Sequence, residues 1–177
     1  MIHVDGKPVP PRFFFGVAHD ASTIGHCRDA GVRFISVAPS ACWEPPEKGD
    51  RWDALDGAFD RIIAVHPEAL IVPRVHMNAP RWLLERHPDW NMRFSDGKDR
   101  HTGSVSAHEY RELAAKHLEK FVRHLCEKYP NNFAGVHPTG QSFGEFFYQE
   151  SLGSVLHGFE PVVRDAWREW LAAHGEA

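Results

Sequence analysis

Residues 106–139, SAHEYRELAAKHLEKFVRHLCEKYPNNFAGVHPT, read as a long amphipathic helix followed closely by a short strand. Ser106 and Glu109 have capping-box spacing, in which a hydroxyl and a carboxylate each satisfy an orphan N–H at a helix start. Behind them Leu113, His117, Leu118, Phe121, Val122, Leu125 and Tyr129 fall on one face at helical spacing. After the turn YPNN, residues 133–139 (FAGVHPT) make a short apolar run, the pattern of a strand covered on both faces.

The same pairing recurs in both directions from this stretch. Residues 13–18 (FFFGVA) predict a strand, followed by a helix capped by Ser22, running to about Asp29 and closed by Gly31. Residues 33–38 (RFISVA) predict a second strand, and Trp52, Leu55, Phe59, Ile62 and Ile63 repeat at helical spacing after a Pro-rich loop. Residues 69–77 (ALIVPRVHM) predict a third, followed by a long loop that contains the amphipathic piece RWLLER. Beyond residue 139, Pro161 suits the first turn of a helix carrying Val162, Val163, Ala166, Trp167, Trp170 and Leu171 on one side. Residues 1–12 make an opening hairpin around the tight-turn pair Asp5-Gly6, with Pro8, Pro10 and Pro11 holding the chain extended.

Four βα units in strict alternation imply right-handed crossovers and a parallel sheet, either doubly wound or closing as a barrel, which periodicity does not separate. Adjacent strands in the order 1-2-3-4 are the expectation for a barrel. The 177 residues fit one domain, and 42% apolar residues with 12% aromatics suffice for a packed core. A net charge of −4 without any run of like charges argues against nucleic acid as a partner. The first ten residues lack the apolar core of a targeting segment, and no stretch approaches the roughly 18 apolar residues of a membrane span. Cys27, Cys42 and Cys126, odd in number and widely spaced, suit reduced thiols and a cytoplasmic location.

In either parallel fold the chemistry gathers in loops beyond the C-terminal strand ends. The loops after strands two to four are long and rich in aromatic and charged residues, whereas the αβ loops HPEA and YPNN are short. The long-loop face collects His19 and Asp20, then Trp43 and Glu44, then Arg74, His76 and Asn78, then the run Thr139 to Glu150. Arg74, His76 and Asn78 share strand parity, so their side chains point to one side. Such a row is either a hydrogen-bonded rim network or a substrate-binding edge. Trp43, Trp82, Trp90, Phe146, Phe147 and Tyr148 bring flat apolar surface to this rim, and sugar rings stack on such faces. Gln141 belongs to the same fourth loop.

Glu145 stands in GQSFGEFFY between Gly140 and Gly144 on one side and aromatics on the other. A carboxylate among aromatics is suited to hold its proton near neutral pH, as a general acid must. Glu44 and Glu150 sit in more open surroundings. Thirteen histidines raise the question of a metal, yet no HExxH occurs, and His117 and His124 are seven residues apart, not the three or four that converge on an ion. No metal or cofactor is therefore assigned. Without GxGxxG or GxxxxGK[ST], nucleotide binding lacks its usual signature. Two other classes remain: a non-catalytic carbohydrate-binding or scaffold half-barrel, and a metal-dependent α/β hydrolase recruiting His19, His76 and His137.

From about residue 5 to its end the chain resembles the clan of (β/α)8 glycosidases that includes the family 42 β-galactosidases. The segments that carry the resemblance are DGKPVPPRFFFGVA, WEPPEKGDRWDALDGAFDRI, NAPRWLLERHPDW, SDGKDRH, Tyr110 with Arg111, and AWREWLAAHG, in that order. The resemblance implies a TIM-type barrel of which residues 1–177 hold the first four βα units, a half-barrel. It also implies retaining hydrolysis of a β-glycosidic, notably β-galactosidic, bond with Glu145 as acid/base, although Gly144 stands where the family usually has Asn. In that mechanism a second carboxylate, about 5–5.5 Å from the acid, forms a glycosyl-enzyme. It comes from the end of strand seven, and a full barrel needs about 250 residues. The expectation is therefore a truncated barrel without its nucleophile, itself inactive, which self-associates or pairs with a complementing C-terminal half.

Overall fold

The computed structural model describes residues 2–4, 6–16, 19–38, 43–140 and 153–175. The elements are β1 (Ile2–Val4), β2 (Lys7–Val9), β3 (Phe13–Phe14), α1 (Ala21–Asp29), β4 (Phe34–Val37), α2 (Asp53–Val65), β5 (Leu70–His76), α3 (Arg81–Arg86), β6 (Asn91–Arg93), β7 (Asp99–Gly103), α4 (His108–Lys128), β8 (His137–Thr139) and α5 (Pro161–His174). The principal sheet has the order β3-β4-β5-β8, sequential along the chain, with β3, β4 and β5 paired in parallel. This is the strand order predicted from the alternation of strands and helices. The chain divides into two compact units, Met1–Cys42 with Gly49–Val75 and Lys120–Pro138, and Trp43–Lys48 with His76–Glu119 and Thr139–Ala177.

In the first unit, β1 and β2 form the expected antiparallel hairpin, and Gly6 at φ 75° supplies its turn. Val9 packs with Phe34 and Leu70, and Phe13 stacks on Phe34 at 6.1 Å. All four residues of β4 are buried, as a strand covered on both faces requires. Leu55, Phe59 and Ile62, spaced along one face of α2, are fully buried, each side chain contributing about 1.5–3 kcal/mol. The short αβ loops are tied together: Asn132 donates to the carbonyls of Pro67 and Ala69, each at 2.9 Å, and the buried His66 donates to Val32 O. Both described cysteines are free thiols, Cys27 buried and Cys126 exposed.

Several local expectations are corrected. The cap of α1 is Asp20, not Ser22: its Oδ1 accepts from Thr23 N at 3.0 Å and its Oδ2 from the Thr23 hydroxyl. The stop at Gly31 holds, with φ 69° and its N–H donating to Arg28 O. Helix α4 begins at His108, so Ala107 and not Ser106 occupies the cap position, and Ser104 Oγ supports the preceding turn by accepting from Ser106 N. Leu113 is exposed, because the buried face of α4 is phased on Tyr110, His117, Phe121 and Leu125. Strand pairing ends at Phe14, short of the predicted span 13–18. The fourth strand is interrupted: Phe133 bridges Ile71, Gly135 turns the chain at φ 142°, and pairing resumes only at His137.

The second unit is built around Ala79, Leu83, Leu84, Trp90, Ala107 and Tyr110, with Trp43, Trp82, Ala114 and Val162 against them. Its loop after β5 is not structureless, because β6 and β7 pair as an antiparallel hairpin with Gly97 in the turn at φ 72°. A third segment joins this hairpin: Ser95 N donates to Leu156 O, Phe94 bridges His157, and Phe159 N donates to Arg93 O. Helix α5 opens with Pro161 in its first turn as predicted, but none of its residues is buried, and Trp167 and Trp170 of its apolar side are exposed.

Candidate active site

The C-terminal strand ends of the first unit hold His19 after β3, Ser36 to Ala38 at the end of β4, and Arg74 near the end of β5. Together with Phe15 they line a cavity of about 350 Å³. The alternation of β5 sends Ile71, Pro73 and Val75 to one face and Arg74 to the other, as its parity predicted. The Arg74 guanidinium lies over the Phe15 ring, 4.6 Å from its centre, a contact that orients the cation. His19 Nε2 is 2.6 Å from Ser36 O. A carbonyl only accepts, so this nitrogen carries the proton and leaves Nδ1 for another partner. His137 packs its ring on Phe15 at 5.9 Å.

In the second unit, His76 ends β5 exposed and Asn78 is half-buried just beyond it. Trp43 is half-buried, stacked on His117 at 4.9 Å and edge-on to Trp82, whose Nε1 donates to Trp43 O. One face of Trp43 is therefore occupied by the buried His117. Trp90 is buried beneath its stack with His87, which accounts for it as packing. Glu44 is half-buried and lies 3.9 Å from Lys48. Gln141, Glu145, Phe147, Phe146, Tyr148 and Glu150 lie outside the described residues. Among the described residues, no three His, Cys, Asp or Glu side chains gather as ligands for an ion, and no helix is long and apolar enough to cross a membrane.

Sequence reasoning passed over two features of the second unit. Glu160 is fully buried and its Oε2 accepts from Arg93 N at 3.0 Å, tying the start of α5 to β6. Next to Pro161 it reads as an ordinary solvated helix start, so no pattern marked it. His101 in β7 has φ 50°, a conformation uncommon outside glycine. It follows Arg100, whose two hydrogen bonds to Asp96 hold that carboxyl at about 2 and whose guanidinium covers Phe94 at 4.3 Å. Tyr110 OH donates to Met77 O, and burial pushes its phenol up to about 12.

Parallel strands in sequential order, with polar side chains at their C-terminal ends and long loops beyond, are the framework of an α/β enzyme domain. Against known proteins, residues 18–174 match the model of glycoside hydrolase family 42, described as β-galactosidase, and the chain belongs to that family. It is 27% identical over 165 residues to β-galactosidase BgaH of Haloferax lucentense, an alignment covering 87% of this chain and 23% of that protein. The chain thus spans about a quarter of the length of this curated relative.

Proposed function

We propose that the chain supplies the acid half of a retaining β-glycosidase acting on β-galactosidic bonds. Family membership over residues 18–174 carries this reading, and the sequential parallel sheet supports it by matching the first strands of a (β/α)8 barrel. Glu145 follows β8 in the loop where such barrels place catalytic groups and is assigned as acid/base: it protonates the leaving oxygen and then draws a proton from the incoming water. The nucleophile belongs to a strand-seven segment that these four βα units do not include. Arg74, His76, Asn78 and Gln141 are assigned to the sugar hydroxyls, and Trp43 and Phe147 to stacking on its C–H faces. The partner is a carbohydrate.

Binding tests this reading directly. The 177-residue chain is titrated with galactose, glucose and their nitrophenyl β-glycosides and followed by NMR. The expected result is saturable hexoside binding that weakens at least tenfold in His76→Ala and Asn78→Ala. Absence of binding by every hexoside at millimolar concentration would overturn it.

A further inference from the structure

Phe159 and Glu160 reverse the usual partition of side chains. Glu160 is 1% exposed, whereas its neighbour Phe159 is 49% exposed. Carboxylates are rarely buried and phenyl rings commonly are, so the inversion has a local cause. Gly158 takes φ 93°, a backbone conformation that L side chains rarely adopt. Arg93 then grips the segment at two points: its O accepts from Phe159 N at 3.3 Å, and its N donates to Glu160 Oε2 at 3.0 Å. Ser95 grips it again at Leu156, whose O accepts from Ser95 N at 2.8 Å and whose N donates to Ser95 Oγ at 3.1 Å. The backbone thus turns the carboxylate inward and presents the ring outward, on a mount fixed before any ligand arrives.

The outward ring borders a groove of about 740 Å³ within the second unit, a size that suits a small-molecule site. The buried Met92 and Phe94 and the exposed Arg93, Ser95 and Lys98 line it with Phe159. Ser95 Oγ accepts from Leu156 N and, as a hydroxyl, can still donate its own proton. A flat apolar face flanked by hydroxyl, guanidinium and ammonium donors fits a ligand with two kinds of surface. A purely apolar ligand has no use for the donors, and a bare anion has none for the ring. A sugar uses both, setting its C–H face on the ring and its hydroxyls on the donors.

We propose that this groove is an accessory carbohydrate subsite, in which Phe159 stacks on one ring of an oligosaccharide and Ser95, Arg93 and Lys98 bond to its hydroxyls. None of the described residues assigned to the reacting sugar lines this groove, so it serves a longer saccharide and adds little for a single ring. The choice of carbohydrate rests on the glycosidase reading; the fixed outward ring does not.

The experiment is a calorimetric titration of the 177-residue chain with galactose and with β-1,4-linked galactotetraose. The tetraose is expected to bind about tenfold more tightly, with the gain lost in Phe159→Ala, kept in Phe159→Trp and lowered severalfold in Ser95→Ala. Phe159→Ala removes only an exposed ring and leaves the backbone bonds to Arg93 in place, and thermal unfolding checks that its stability is unchanged. Equal affinity for the two saccharides, or a gain that survives Phe159→Ala, would overturn the subsite, while galactose binding that weakens in His76→Ala would leave the glycosidase reading standing. Failure of the parent chain to bind either saccharide would overturn both. Self-association that Phe159→Ala abolishes, read by light scattering and found with no gain for the tetraose, would assign the ring to a second copy of the chain and overturn the subsite.

Discussion

Gly31 and Gly103 are glycines for different physical reasons, and the difference is measurable. A Cβ at Gly31 would meet nothing within 4 Å, so Gly31→Ala is charged only for holding φ 69°, about 1 kcal/mol. A Cβ at Gly103 would stand 2.7 Å from Ala79 Cβ and 3.2 Å from Tyr110, so Gly103→Ala overpacks the core of the second unit and costs about 1–3 kcal/mol. Urea unfolding of both variants beside the parent chain checks the order, Gly103→Ala being the more damaging. The stop at Gly31 was legible because only glycine takes that backbone freely. The cap of α1 was not: Asp20 and Ser22 are both capping residues, and the choice depends on which backbone turns first. Arg74 was legible because alternation along a buried strand fixes its side, while the distant partners that make Glu160 a buried clamp leave no local pattern.

At the scale of elements, α2 and α4 are joined by a small charged lattice. His124 Nε2 lies 2.7 Å from Asp56 Oδ1, Lys128 Nζ lies 2.9 Å from Oδ2, and Tyr129 OH donates to Asp60 at 2.8 Å. Trp52 stacks on His124 at 4.9 Å. Burial works against the ionised form of Asp56, but the hydrogen bonds and charges of His124 and Lys128 outweigh it, and the carboxyl sits below its ordinary value. A carboxyl lowered by folding contributes stability that is present above its unfolded value and is lost as pH falls through the folded one. Urea midpoints are therefore expected to decline below about pH 4, and Asp56→Asn should flatten that decline while lowering the plateau at neutral pH. Between the same helices Phe59 is fully buried, 4.7 Å from the Tyr129 ring centre. Phe59→Ala is expected to cost about 3–5 kcal/mol, read from the shift in urea midpoint. Both helices were visible as periodic patterns. The β6–β7 hairpin was not, because Asp96-Gly97 stands between runs too short to alternate clearly.

For the whole molecule, retaining hydrolysis uses its two carboxylates as a unit, and one alone forfeits orders of magnitude in rate. The chain is expected to show little or no turnover of nitrophenyl β-galactosides and β-glucosides, measured beside Glu145→Gln. Robust turnover that Glu145→Gln abolishes would place the nucleophile within these residues. Phe13 and Phe15 in the first unit, and Leu156, Phe159, Trp167 and Trp170 in the second, leave large apolar side chains in water. Light scattering is accordingly expected to show association that grows with concentration. The Trp167 and Trp170 rings are stacked at 5.1 Å, and His174 lies against Trp170 at 4.3 Å. Indole emission moves to the blue when water leaves its surroundings. Helix α5 thus carries native fluorophores whose colour reports contact along its own face, without any label attached.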